Sequence, residues 1–136
     1  MLKYRYIFVA IYLVVDLIYV TLSKGTYDNA VKMIQGKSMP IPARFSSALA
    51  AYTCMVLGWF FLAAPTAERW SKTMHPALAG FLAGLVYGLL VIGTFNFTLN
   101  AMLDNWSGYI FIRDLLWGIS WSIIITTTYS IVLSKF

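Results

Sequence analysis

The chain has 136 residues, 60% hydrophobic and only 11% charged, with a mean hydropathy of +0.75 and a formal net charge of +5. A water-soluble domain averages about 45–50% apolar and about 25% charged residues, so this composition excludes one and indicates a single integral membrane domain over residues 1–136. The basic excess suits loops that face anionic headgroups rather than a nucleic-acid surface.

Residues 4–22 form the first uncharged-to-weakly-charged run, flanked by Lys3, Arg5 and Lys24 and interrupted by Asp16. Its length exceeds the apolar core of about 7–15 residues in a signal peptide, which predicts a retained transmembrane helix. At helical spacing Tyr12, Asp16, Tyr19 and Ser23 share one face, and that face is expected to look inward. Residues 26–36 are too short and polar to span. Tyr27, Val31 and Ile34 recur there every three or four positions, opposite Asp28, Asn29, Lys32 and Gln35. The pattern predicts a short amphipathic helix in the interface plane, ended by Gly36, Pro40 and Pro42.

Residues 45–64 make the second span, bounded by Arg44 before it and Pro65, Glu68 and Arg69 after it. A charged turn follows, and Pro76 is suited to the first turn of the next helix. The third span, 77–103, carries no charge. Gly80, Gly84 and Gly88 lie at four-residue intervals in its first half, a small-xxx-small ridge that lets another backbone approach closely. Asn96 and Asn100 lie in its second half. Taking about 100° per residue, the asparagines fall roughly opposite Gly80 and Gly84, so this helix is expected to have a packing face and a polar face. After a tight connection at 104–108, residues 109–133 form the fourth span, with Arg113 and Asp114 in its first turns. The fold class is therefore all-α: a polytopic membrane protein built as a four-transmembrane-helix bundle, with a short interfacial helix between spans 1 and 2.

Alternating span direction puts the 24–44 and 104–108 loops on one side of the membrane. At about 1.5 Å per residue, Asp16, Asn96 and Asp114 then lie at similar depth below that side. Ionisable groups at such depth face the bundle interior and are functional candidates by default. The expected polar pocket comprises Asp16, Asn96, Asn100 and Asp114, with Tyr12 and Tyr19 on the same first-helix face and Arg44 and Arg113 as counter-charges at its mouth. The alternative is that these groups are interhelical hydrogen-bond glue, contributing on the order of 0.6–2 kcal/mol each.

Asp16, the Thr-Phe-Asn-Phe-Thr run at 94–98, Asn105-Trp106, and Asp114 followed by Trp117-Gly118 together resemble the small four-span membrane proteins grouped as domain of unknown function 2177. The family's corresponding run reads T-Y-D-L-T-N, followed by N-W and then D-x-x-W-G. Its carboxylate falls here on Asn96, a side chain that exchanges no proton. The resemblance covers nearly the whole chain and implies a four-helix membrane fold without an established activity.

Three functions compete. A small transporter or channel-like protein for protons, cations or a small polar solute would use the carboxylates and asparagines as ligands, in a homo-oligomer if a continuous pore is needed. A structural subunit would pack against other membrane proteins or shape the lipid bilayer. A lipid-modifying enzyme is the weakest reading, because nucleophile-elbow, HExxH and DxxD patterns are missing. No motif calls for a cofactor, and one cysteine, Cys54, with one histidine, His75, makes no zinc cluster. Basic residues tie five to five across the two sides, so the positive-inside rule assigns no orientation.

Overall fold

A computed structural model describes residues 1–39 and 45–136. Four helices carry the described chain: α1 (Leu2–Gln35), α2 (Phe45–Trp70), α3 (Pro76–Met102) and α4 (Gly108–Leu133), each long and apolar enough to cross a membrane. At about 1.5 Å per residue, even 26 residues exceed the roughly 30 Å hydrocarbon core. Local signals set the helix ends. His75 caps α3, its Nδ1 accepting from the Ala77 N–H at 3.2 Å with Pro76 at the first helical position. Ser107 caps α4 by accepting from the Ile110 N–H at 3.4 Å. Gly36 ends α1 in the left-handed conformation, φ 74°, which glycine adopts without a Cβ penalty.

The closest contact is between α3 and α4. A Cβ built on Gly84 would lie 2.5 Å from the Ser122 carbonyl oxygen and 2.7 Å from the Ile123 Cα; one on Gly80 would lie 2.5 Å from the Thr127 Cα, and one on Gly88 3.0 Å from the Ile119 Cα. The ridge of α3 therefore packs inside the chain, backbone to backbone. Gly118 of α4 reciprocates, its bare Cα receiving the Ile92 side chain. Against this pair α1 and α2 contribute Phe8, Tyr12, Met55 and Trp59, which cluster with Tyr87, Ile125 and Tyr129. Tyr12 and Tyr129 are closed off by edge-to-face rings, Tyr12 with Tyr87 at 6.4 Å and Trp59 with Tyr129 at 5.4 Å between centroids. The outward faces remain apolar, with Ile18, Leu62, Leu90 and Leu116 all exposed, as lipid-facing surfaces are.

Two expectations are corrected. No separate interfacial helix is seen among the described residues between spans 1 and 2, because α1 runs unbroken to Gln35 and carries residues 26–35 in line with the first span. Gly25 sits inside it with nothing within 4 Å of a built Cβ; a lone glycine costs about 1 kcal/mol in a helix and does not end one. The sidedness remains, since Tyr27, Val31 and Ile34 are half-buried and Asn29, Lys32 and Gln35 exposed. Nor does Pro65 end the helix that carries the second span. Proline offers no N–H and crowds the carbonyl four residues back, yet α2 widens into a π-turn over Trp59–Ala63 and continues to Trp70.

A second π-turn, Leu89–Gly93, lies within α3. Its extra residue sets the following helix back by roughly the 100° of one residue. Asn96 accordingly does not lie opposite the glycine ridge but is turned toward α4, where it is buried.

Gly84→Ala is expected to cost about 1–3 kcal/mol through overpacking against backbone that cannot yield, and Gly84→Leu more. Gly25→Ala, in open space, should be neutral or stabilising by up to about 1 kcal/mol. Thermal melting of the three variants in one detergent checks the contrast.

Candidate functional site

Among the described residues, two clusters that contain charged side chains interrupt the apolar interior. The first is a cavity of about 140 Å³ between α1, α3 and α4, lined by Asp16, Tyr19, Tyr27, Asn96, Asp114 and Trp117 among others. Asp16 and Tyr19 lie three residues apart on α1, and Asp114 and Trp117 three apart on α4, so each pair shares a helix face. The pairs cross-link. Tyr19 Oη donates to Asp114 Oδ1 at 2.6 Å, and Trp117 Nε1 donates to Asp16 Oδ1 at 3.2 Å. Between the two bonds the Tyr19 and Trp117 rings stack at 4.4 Å with 8° between planes.

Asn96 closes the cavity from α3. It is 2% exposed; its Nδ2 donates to the Ile92 carbonyl one turn back at 3.0 Å, whereas its Oδ1 meets no donor among the described residues. A carbonyl only accepts, so this bond fixes the amide orientation and leaves the oxygen as the free group.

The carboxylates differ in their company. Arg113 Nε lies 3.8 Å from Asp114 Oδ1. Its guanidinium carbon also sits over the rings of Tyr19, Tyr27 and Tyr109 at 5.5, 5.7 and 5.4 Å, an arrangement in which ring faces supply part of the lost hydration. Asp16 has no cationic neighbour among the described residues. With both carboxylates ionised, the cluster of Asp16, Asp114 and Arg113 carries one net negative charge.

The structure thus brings together Asp16, Tyr19, Asn96 and Asp114, with Arg113 beside Asp114. Asn100 is not with them: it is exposed, one turn beyond Asn96 and two residues before the end of α3. Tyr12 is also elsewhere, buried at 2% exposure with its hydroxyl 3.2 Å from Ser122 Oγ in the aromatic core. Arg44 lies outside the described residues. Among the described residues no three His, Cys, Asp or Glu side chains converge as a metal site would require.

Sequence reasoning missed the second cluster, at the opposite end of the bundle. Arg5 grips Glu68 through a two-pronged pair, Nε to Oε1 at 2.8 Å and Nη2 to Oε2 at 2.6 Å, and Tyr129 Oη donates to the same Glu68 Oε1. The Glu68 side chain is 9% exposed. Its signal was present, because alternating spans put Arg5 and Glu68 on one side, but taking Pro65 as a helix end assigned Glu68 to a solvent turn.

Four helices, each long and apolar enough to cross a membrane, mark an integral membrane protein. Within that class, the family model described as "Predicted membrane protein (DUF2177)" matches residues 1–132, and the chain belongs to that family. No curated protein and no solved structure matches the chain.

Glu68→Gln should cost about 3 kcal/mol, because it leaves the Arg5 guanidinium buried beside a neutral amide. Joint replacement of Arg5 by Met and Glu68 by Leu should cost less than Glu68→Gln alone. Tyr19→Phe and Asp114→Asn, which remove the two ends of one bond, should be non-additive by at least about 0.5 kcal/mol. Unfolding free energies in mixed micelles measure both.

Proposed function

We propose that the protein binds a proton, a cation or a small polar solute in the cavity between α1, α3 and α4, and carries it across the membrane. One observation carries this reading: Asp16, without a cationic neighbour among the described residues, lines a small cavity that is also bordered by Asn96, whose Oδ1 meets no donor among them. An ionised carboxylate and an amide oxygen at membrane depth are both costly unless something that carries positive charge or donates hydrogen bonds meets them. The lining supplies what such a guest needs. Asp16 gives the charge, Asn96 a neutral oxygen, and Tyr19 and Trp117 hold the two carboxylates in fixed orientations. Arg113 neutralises Asp114, so binding at Asp16 completes the charge balance rather than adding a second positive charge.

The glycine ridge, which could have served a homo-oligomeric transporter as well as a structural subunit, is spent on α4 and favours neither. What favours the subunit reading is the Arg5–Glu68–Tyr129 lock, a polar cluster that serves helix association alone.

Purified protein in liposomes, tested with a pH-sensitive dye inside and a potassium or ammonium gradient across the bilayer, separates the two. Transport predicts a flux that Asp16→Asn lowers at least about tenfold, the equivalent of about 1.4 kcal/mol in the barrier. A protein that conducts none of these leaves the structural subunit.

A further inference from the structure

The polar cavity has an apolar annex. A groove of about 310 Å³ runs between α2 and α3, lined by Ala51, Tyr52, Met55, Val91, Ile92 and Phe95, and it ends on Asp16. Asp16, Ile92 and Phe95 line both spaces, so the carboxylate stands where the apolar groove meets the polar cavity. Ala51 and Phe95 are exposed, the latter 60%, so the groove opens on the lipid-facing side of the bundle.

From this juxtaposition we infer that the occupant is a single-chain amphiphile with an ammonium head, which enters from the bilayer with its chain in the α2–α3 groove and its head between Asp16 and Asn96. The inference rests on the proposed reading of the cavity as a cation site and names the class of cation. The chemistry of the acceptors selects the head. Asn96 Oδ1 and the Asp16 carboxylate, which the Trp117 indole and the Tyr52 hydroxyl approach, carry no donor of their own, and an ammonium brings three N–H donors and one positive charge to them. A hydroxyl head would satisfy the amide oxygen but not the charge. A bare proton would neutralise Asp16 and leave both Asn96 Oδ1 and the cavity unfilled. Tyr19, Trp117 and Phe95 offer ring surface to a cation in the same space. The groove selects the tail. Its lining beyond Asp16 is five apolar side chains and Tyr52, so a hydrated inorganic ion gains nothing there, whereas a hydrocarbon chain already in lipid moves sideways into it without crossing water.

The test uses the full chain in phosphatidylcholine nanodiscs with a dodecylammonium that carries a diazirine near the end of its chain. Illumination should label Ala51, Met55 or Val91. Excess dodecylammonium should displace the label and dodecanol should not. Asp16→Asn and Ala51→Trp should each lower labelling about tenfold or more. Ala51 is exposed, so its replacement by Trp fills the groove without entering the core, and an unchanged melting temperature certifies that the variant is folded. Methylammonium flux in liposomes is measured in parallel. If that flux depends on Asp16 while labelling is absent, or is displaced equally by dodecanol, or survives both substitutions, the amphiphile is overturned and the cation cavity stands. If neither labelling nor flux depends on Asp16, both readings fall together.

Discussion

The bundle depends on the approach of two backbones. In lipid there is no hydrophobic drive between apolar helices, so association must come from close packing and interhelical hydrogen bonds. Gly80, Gly84 and Gly88 remove side chains where α3 meets α4, and Gly118 removes one on the other side to admit Ile92. Contact at that range fixes both the register and the rotation of α4 on α3. The depth of Asp114 and Trp117 relative to Asn96 follows from it. The polar cavity is therefore a consequence of the glycine contact, even though no ridge glycine lines it.

Both π-turns stand beside polar contacts that a regular helix would not make in the same way. In α2 the Met55 carbonyl, four residues before Trp59, accepts a hydrogen bond from Tyr87 Oη of α3. A carbonyl four residues back is the regular partner of the Trp59 N–H, and widening at Trp59–Ala63 is the kind of adjustment by which an inserted side chain is accommodated. The same hydroxyl-bearing ring lies against Gly58, where a Cβ would meet it at 3.1 Å. In α3 the turn at Leu89–Gly93 rotates everything beyond it, so that a helix packed by glycines in its first half presents Asn96 toward the same partner in its second.

What was legible in the sequence divides along this line. Span number, the four-residue glycine interval and the depth of Asp16 and Asp114 follow from hydropathy, spacing and rise per residue, each a local or additive property. The π-turns leave no periodic trace, because one extra residue in 27 does not alter composition or hydropathy, yet it displaces every later side chain by most of a quadrant or more. An ideal helix therefore puts Asn96 on the wrong face, and Pro65 reads as an end. The exposure of Asn100 has a simpler origin: it keeps the same spacing from Asn96 as one glycine from the next, but lies in the last turn of α3. The unbroken α1 was hidden by Gly25, a helix-weakening residue whose cost 33 other residues of the same helix outweigh.

The two polar clusters differ in a way that bears on what each can do. At one end Arg5, Glu68 and Tyr129 satisfy one another, with both carboxylate oxygens engaged and the charges equal. The two-pronged geometry of this cluster suits it to hold α1, α2 and α4 together. At the other end the donors and acceptors do not cancel. Arg113 lies among three aromatic rings and Asp114 with its Nε and Nη2 unpaired among the described residues, Asp16 receives the Trp117 indole N–H beside the Tyr52 hydroxyl, and Asn96 keeps an oxygen free. Helix association is supplied by the closed cluster and the glycine contact, so the groups left unpaired near Asp16 and Asp114 are what sets this end of the bundle apart.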